Sequence, residues 1–300
     1  RSWNLMWLLG AGASGAAGIP TAGDMIWEFK QKLFVSQRHA SPEMVADLSA
    51  PAVRQHLQAH IDSLSNLPPA GAPDEYSALF ETVFPSEADR RTYLDSKMAG
   101  AKPSYGHLAI ATLMRADRAR LVWTTNFDPL VTDSCAKVFE GTGALTTVAL
   151  DAPAIARQAI NEERWPIEIK LHGDFKSRRL KNTGDELRHQ DEQLRAVFVE
   201  ACGRMGLVVA GYSGRDESIM RTLEAALEKP GAFPAGLFWL HRGDDAPYER
   251  VADLLRNASA KGIEAGLVRV QNFDEASRDL IRLIPDLNMN VLNEFGKQRA

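Results

Sequence analysis

Three stretches of this chain hold residue types that could do chemistry on a phosphate-rich ligand. The stretch "GAGASG" (10–15) matches the pattern G-x-G-x-x-G, in which glycines let backbone amides approach a pyrophosphate at the start of a helix. The stretch "TTNFD" (124–128) contains Asn126, whose amide could hold a ribose hydroxyl and a water. His172 precedes a glycine, and an imidazole with an ordinary pKa of about 6.5 suits a general base.

Each of these features also has a purely structural interpretation. The glycine loop could be a tight turn without a ligand, and Asp128 could cap a helix that has Pro129 in its first turn. Asn126 could form an Asx turn, and a lone histidine is more often structural than catalytic. A fourth stretch, "GYSGRD" (211–216), is equally ambiguous, since Ser213 could bond a phosphate or ribose or cap a helix.

Short apolar runs would position these residues, and several of them directly precede the four stretches. Runs rich in branched and aromatic residues are typical of strands buried on both faces of a parallel sheet. Seven such runs predict strands at 5–10, 120–126, 146–150, 167–173, 206–212, 236–241 and 266–271. Because ligands bind at the carboxyl ends of such strands, the four loops are expected to share one cleft.

Helical periods alternate with these runs and predict an α/β fold, a Rossmann-like doubly wound and mainly parallel sheet with a helical insertion or small subdomain. Helices are expected over 103–116, 126–140, 189–204, 215–228 and 246–261. The interval 36–102 has helical patterns and no convincing strand, although two crossover helices with a long loop would also explain it. The predicted organisation is a Rossmann-like domain over 1–35 and 103–285, an insertion over 36–102, and a C-terminal tail over 286–300.

Composition narrows the class of protein. A chain of 300 residues with 45% hydrophobic content can bury a substantial core, and the net charge of -4 lacks the cationic excess of direct nucleic-acid binders. Cys135 and Cys202 lie far apart and can build neither a disulfide framework nor a four-thiolate zinc site by themselves. No run is long enough to span a membrane, and a reducing, cytoplasmic location is expected.

Three interpretations compete for the opening stretch "LMWLLGAGASGAAGIPTAGD" (5–24). A secretion signal is disfavoured because the stretch continues without a break into a helical pattern. A dehydrogenase would need a second strand about 20 residues further on that ends in an acidic residue, and a helix is expected there instead. The third interpretation is the nucleotide loop of an enzyme that breaks NAD apart.

In these motifs the chain resembles the sirtuin family. Gly10 to Ser14 with Gly18-Ile19-Pro20 is similar to the first NAD motif of that family, and Thr125 to Asp128 is similar to its Gln-Asn-Ile-Asp motif. His172-Gly173 resembles the catalytic His-Gly, and Gly211-Tyr212-Ser213 lies where the family has Gly-Thr-Ser. The matches occur in family order over residues 5 to about 216.

The departures from the family matter as much as the matches. The zinc ribbon of protein-deacylating sirtuins is absent, because the segment between Gly173 and "GLVVAGY" holds the single Cys202. Thr21-Ala22-Gly23-Asp24 replaces the Asp-Phe-Arg that follows Gly-Ile-Pro in the family. Ribbonless sequences with these motifs resemble the sirtuin-like NADase effectors of bacterial anti-phage defence.

That resemblance implies an NAD+ glycohydrolase that acts in abortive infection, with NAD+ as substrate and no metal. It implies Asn126 and His172 as catalytic residues, with Asn126 orienting ribose and water. The implied NAD-binding residues are Gly10, Ala11, Gly12, Ser14, Gly18, Ile19, Pro20, Thr125, Asp128, Gly211, Ser213 and Asp216. Within that set, the carboxylate of Asp128 would hold the nicotinamide carboxamide.

The resemblance also implies partners. A homo-oligomer, or a sensor such as a short Argonaute, a HerA-type ATPase or another defence sensor, would control the enzyme, and nucleic acid would be reached only through that partner. Two alternatives remain beside the hydrolase: a non-catalytic module that binds NAD or ADP-ribose, and an NAD-dependent protein deacylase.

Overall fold

The computed structural model describes residues 4–72, 74–149, 152–171 and 184–297, without the side chains of 184–191. Two compact units divide the chain: residues 1–18 with 101–300, and residues 19–100. The first is called the sheet unit below, and the second the helical unit.

A single seven-stranded parallel sheet forms the centre of the sheet unit. Its strands are β1 (Leu5–Leu9), β2 (Leu121–Thr124), β3 (Thr146–Val148), β4 (Ile167–Lys170), β5 (Gly206–Ala210), β6 (Leu237–Arg242) and β7 (Ala265–Val270). They lie in the order β3-β4-β2-β1-β5-β6-β7, and every neighbouring pair is parallel. The seven predicted strands and the doubly wound α/β fold are therefore confirmed.

Helices connect and cover these strands. They are α1 (Ala11–Ser14), α2 (Ala22–Arg38), α3 (Pro51–Asp62), α4 (Glu75–Val83), α5 (Glu87–Met98), α6 (Tyr105–Arg115), α7 (Leu130–Phe139), α8 (Pro153–Asn161), α9 (Gly184–Cys202), α10 (Glu217–Leu227), α11 (Glu249–Ala260), α12 (Phe273–Arg282) and α13 (Asn290–Lys297). The five helices predicted in the sheet unit correspond to α6, α7, α9, α10 and α11.

The central strands β1, β2, β4 and β5 bury both of their faces, which explains why they read as nearly continuous apolar runs, whereas the edge strands β3 and β7 are partly exposed. Met6 and Leu8 of β1 belong to a core shared with α8, α9, α10 and α11. Trp7 and Leu9, which alternate with them, belong to the opposite core, shared with α6, α7, α12 and α13. Helices on both faces make the sheet a three-layer structure.

The C-terminal segment is part of the second core. Leu292 of α13 is 2% exposed, and the ring of Phe295 lies 6.3 Å from that of Tyr105 on α6. The amphipathic tail therefore packs on the sheet unit in this structure.

The helical unit has its own core, built around aromatic side chains. Phe29 of α2 stacks on Phe80 of α4 with ring centroids 5.0 Å apart, and it also contacts Tyr93 of α5. The buried ammonium of Lys30 is paired with Glu75 at 2.6 Å. This unit begins at Ile19 and includes α2, whereas the sequence boundary was set at residue 36. In chain order it lies between β1 and β2.

The strand order places the switch point of the sheet at β1 and β5. The chain leaves β1 towards β2 on one side and leaves β5 towards β6 on the other. Connections that diverge in this way open a crevice at the carboxyl ends of the two strands, which is where ligands bind in open α/β sheets.

Candidate functional site

The loop after β1 is a short helical turn whose glycines pack against the loop after β5. The amide of Gly10 donates to the carbonyl of Ala210, and that of Gly12 donates to the carbonyl of Gly211. A Cβ on Gly10 would lie 2.7 Å from the carbonyl oxygen of Gly211, and one on Gly211 would lie 2.1 Å from the nitrogen of Ala13. These glycines therefore allow two backbones to touch.

The sequence pattern predicts that these glycines let backbone amides approach a pyrophosphate. In the structure, their first role is to let the loops after β1 and β5 pack closely. The amides of Gly10 and Gly12 are used within the protein, and "AGAS" (11–14) forms the single turn α1, followed by a 3-10 turn that ends at Gly18. The short glycine motif serves the architecture of the cleft floor first.

Asn126 is fixed against this turn by both hydrogens of its side-chain amide. Its Nδ2 donates to the carbonyl of Gly10 and to the hydroxyl of Ser14, each at 3.0 Å. Since a carbonyl can only accept, the contact with Gly10 dictates that the nitrogen faces inward. Among the described residues the Oδ1 atom of Asn126 has no recorded donor, so it can accept a hydrogen bond from a ligand or a water.

Backbone contacts at the end of β2 hold the same loop. The amide of Thr125 donates to the carbonyl of Leu9 at 3.0 Å, and the hydroxyl of Thr124 donates to that carbonyl at 3.1 Å. The amide of Asn126 in turn donates to the hydroxyl of Thr124. The polar residues that follow β2 are thus tied to the end of β1.

Ser14 joins Asn126 to Asp128 in a directional chain. The Ser14 hydroxyl is 1% exposed, accepts from Asn126 and donates to Oδ2 of Asp128 at 2.7 Å. Oδ1 of Asp128 accepts from the amide of Leu130, the first residue of α7. Both side-chain oxygens of Asp128 therefore serve as acceptors within the protein.

The predicted residues after β5 have separate positions. Ser213 is exposed in the loop, where it is available to a ligand. Asp216 caps α10, because its Oδ1 accepts from the amides of Ser218 and Ile219. Its structural role is therefore clear, and a contact with the adenosine half of NAD stays a prediction.

Four residues that the sequence singles out are not described as part of the group formed by Asn126, Ser14 and Asp128. His172 and Gly173 lie outside the described residues, two and three positions after the end of β4. Ile19 and Pro20 belong to the helical unit.

A second buried polar group lies at the start of α6. The hydroxyl of Ser104 donates to Asp274 at 2.6 Å and lies 2.9 Å from Nδ1 of His107. Since that hydroxyl gives its hydrogen to Asp274, Nδ1 of His107 must carry the proton. Burial lowers the pKa of His107, against the raising effect of Asp128 and Asp274.

Groups that could bind metal are not evident in the part of the chain that the structure describes. No cluster of three or more His, Cys, Asp or Glu side chains there is arranged to hold an ion. Among the same residues, no helix is both long enough and apolar enough to cross a membrane.

The part of the chain that contains Asn126 and Asp128 is similar to a known protein family. Residues 120–265 match the family model of the SIR2-like domain. The match supports a sirtuin-like family and indicates an NAD-related activity. It covers the loops after β2 and β5 and begins well after Gly10 to Ser14.

Among solved structures, one titled "The Structural basis for Sirtuin Substrate affinity" is similar at 15% identity and a TM-score of 0.37, over 93% of this chain and 92% of that chain. Among curated proteins, none matches the sequence.

Two buried charged side chains of β4 were not predicted, of which Lys170 donates to the backbone carbonyls of Phe127 and Asp128. Lys170 and Glu168, 4% and 0% exposed, lie in the run "IEIK" of β4. The available signal was two charged residues in a strand predicted to be buried on both faces. Ser14 is among the predicted NAD-binding residues, but the bridge that its hydroxyl makes between Asn126 and Asp128 was not predicted.

Proposed function

We propose that this protein hydrolyses the bond between nicotinamide and ribose in NAD+. The single observation that carries the proposal is the chain from Asn126 through Ser14 to Asp128 at the crevice of a parallel sheet. The SIR2-like domain over residues 120–265 supports NAD as the ligand. The lack of a zinc ribbon in the sequence favours water over an acyl-lysine peptide as the acceptor.

The hydrolysis needs no acid for the leaving group, but it needs precise positioning of the water and the ribose. Water forms a bond to the anomeric carbon of the nicotinamide ribose while the bond from that carbon to the ring nitrogen breaks. The electron pair of the broken bond neutralises the pyridinium, so nicotinamide leaves without protonation. The enzyme must stabilise an oxocarbenium-like ribosyl centre and deliver the water.

Asn126 suits the delivery of water because its Oδ1 is the free end of a fixed amide. A water that donates one hydrogen to Oδ1 turns a lone pair towards the anomeric carbon, or the same atom accepts from a ribose hydroxyl. His172 deprotonates the water or a ribose hydroxyl. Asp128 holds the nicotinamide carboxamide. The remaining proposed NAD-binding residues are Gly10 to Ser14, Gly18, Ile19, Pro20, Thr125, Gly211, Ser213 and Asp216.

Control of such an enzyme would come from assembly. Uncontrolled hydrolysis of NAD+ would harm the cell that makes it, so we infer a cytoplasmic effector that is silent until a homo-oligomer or a defence sensor activates it. The sensor would be a short Argonaute, a HerA-type ATPase or a similar protein, in a bacterial anti-phage system that ends in abortive infection. With a net charge of -4, the chain would meet nucleic acid through that partner.

Replacement of Asn126 tests the proposal. Asn126→Ala should lower the rate of nicotinamide release from NAD+ about 100-fold, on the order of 3 kcal/mol, because a positioned hydrogen-bonding group is lost. His172→Ala should lose a similar factor through the missing base. Asn257→Ala, an exposed asparagine of α11, is the control and should release nicotinamide at the wild-type rate.

The assay follows free nicotinamide over a range of protein concentrations, so that activation by self-assembly is seen. A wild-type rate in Asn126→Ala would contradict the proposal. An active protein that needs an acetylated peptide for nicotinamide release would favour the deacylase instead.

A further inference from the structure

Lys170 is a buried cation at the last position of β4. It is 4% exposed, and its ammonium donates to two backbone carbonyls, those of Phe127 at 3.2 Å and Asp128 at 2.8 Å. Both carbonyls belong to the loop that carries Asn126. The contact therefore joins the end of one strand to the catalytic loop of its neighbour, 42 and 43 positions apart in sequence.

The surroundings of Lys170 are acidic. Glu168 lies on the same face of β4, because side chains alternate along a strand, and it is 0% exposed. Its Oε2 accepts from the hydroxyl of Thr132 at 2.8 Å, while Oε1 has no partner among the described residues. Burial raises the pKa of both Glu168 and Asp133, and the charge of Lys170 opposes that rise.

A charge in this position is costly for stability. Removing an ammonium from water is strongly unfavourable, and carbonyl contacts and nearby carboxylates only offset that penalty. An apolar side chain of similar length would fill the same space without that penalty. The contacts of Lys170 with Phe127 and Asp128 therefore have a use beyond packing.

We propose that Lys170 is a positioning residue for the reaction, which ties the loop from Asn126 to Asp128 to the end of β4. This inference rests on the proposed hydrolysis of NAD+. Lys170 touches neither NAD+ nor water in this account. It holds the carbonyls of two consecutive peptides, Phe127–Asp128 and Asp128–Pro129, so that the side-chain amide of Asn126 and the carboxylate of Asp128 keep their places relative to Ser14.

The test compares Lys170→Met with a matched lysine elsewhere. Lys261 of the sheet unit also donates to a backbone carbonyl, that of Leu227 at 3.2 Å, far along the chain from this group. Lys170→Met should lower kcat for nicotinamide release about 10- to 100-fold with KM within about threefold, because small misplacements of reacting groups cost that much. Lys261→Met should change neither constant.

Two further variants separate positioning from stability. Glu168→Gln with Lys170→Met removes both buried charges together, so that a fold weakened by an uncompensated carboxylate is not mistaken for a positioning effect. It should lose kcat as the single variant does, at a melting temperature closer to wild type. Lys170→Arg keeps a cationic donor and should recover part of the lost kcat. A folded variant without the Lys170 ammonium that keeps kcat within twofold would overturn the inference.

Hydrogen exchange gives a readout that does not depend on activity. In Lys170→Met or in the double variant, amides of residues 125–130 should exchange at least about tenfold faster, while those of β1 and β5 exchange as in wild type. Unchanged exchange in that loop would overturn the positioning role. If the wild type neither released nicotinamide nor bound NAD+, the proposed hydrolysis would fail, and faster exchange confined to the loop would still support the contact made by Lys170.

Discussion

At the scale of single residues, the direction of three hydrogen bonds decides what the candidate site can do. The carbonyl of Gly10 can only accept, so Asn126 must present its side-chain nitrogen inward and its oxygen outward. Ser14 passes that direction on, since it accepts from Asn126 and donates to Asp128. Ser14 thus acts through its buried hydroxyl, and its removal affects two neighbours at once.

Ser14→Ala tests this bridging role. The change leaves one hydrogen of Asn126 and one oxygen of Asp128 without a partner, so the free energy of unfolding should fall by about 1–3 kcal/mol. Nicotinamide release should fall at least about tenfold, because Asn126 loses one of its two anchors.

Ser134→Ala is the matched control for that measurement. Ser134 is also buried, and its hydroxyl donates to the carbonyl of Leu130 within α7. Its replacement removes a hydroxyl of the same kind away from Asn126. Equal activity losses in the two variants would contradict the bridging role of Ser14.

At the scale of elements, two strand-end loops are interlocked by glycine. The turn after β1 and the loop after β5 approach so closely that their backbones are in contact at Gly12 and Gly211. Gly211 has a φ of 66°, a left-handed conformation that residues with a Cβ rarely adopt. The floor of the crevice thus depends on a residue without a side chain.

Gly211→Ala should therefore lower the free energy of unfolding far more than a Gly→Ala change at an open turn. Left-handed strain of about 1–2 kcal/mol adds to about 1–3 kcal/mol of overpacking against Ala13. Gly231→Ala is the control, since Gly231 has a φ of 71° and nothing within 4 Å of its would-be Cβ, so strain alone is expected. Urea unfolding of both variants gives the difference, and equal losses would refute the interlock.

At the scale of the whole molecule, the candidate group belongs to the sheet unit. That unit joins residues from near both ends of the chain, while the helical unit has its own aromatic core and enters between β1 and β2 in sequence. Ser104, His107 and Asp274 link α6 to α12 near the C-terminal end of the chain. This buried group should make the stability of the protein depend on pH.

The pH dependence has a defined sign. The pKa of His107 lies below its ordinary value of 6.5 in the folded protein, so the unfolded chain binds the proton more readily. The free energy of unfolding should therefore fall as pH falls below about 6.5, with a slope of at most about 1.4 kcal/mol per pH unit from this group. Above that pH the contribution is constant.

His107→Asn tests this assignment because asparagine keeps a donor near the position of Nδ1 and does not titrate. The variant should lose some stability at pH 7.5 through reduced packing and should lose less than wild type when the pH is lowered to 5.5. Urea unfolding at the two pH values measures the difference. The same pH dependence in both proteins would show that His107 does not carry it.

The sequence predicted the central strands because burial on both faces leaves nearly uninterrupted apolar runs, and it predicted polar residues at their ends. It also predicted the edge strands β3 and β7, although they are partly exposed. The helices that it named did not include α8 or α12. The roles of Ser14 and Lys170 could not be predicted, because their partners lie 112 to 114 and 42 to 43 positions away and only the folded sheet brings them together. Asn126 and Asp128 could be predicted as site residues because they are polar residues that directly follow a predicted strand.

The most direct test of the account is to quantify both products from NAD+ incubated with the wild-type protein alone. Hydrolysis predicts nicotinamide and ADP-ribose in equal amounts, without an added peptide, and at a rate that Asn126→Ala lowers about 100-fold. Nicotinamide without matching ADP-ribose, or NAD+ that neither binds to the protein nor breaks down at any protein concentration, would contradict the claim that this crevice delivers water to the ribosyl centre.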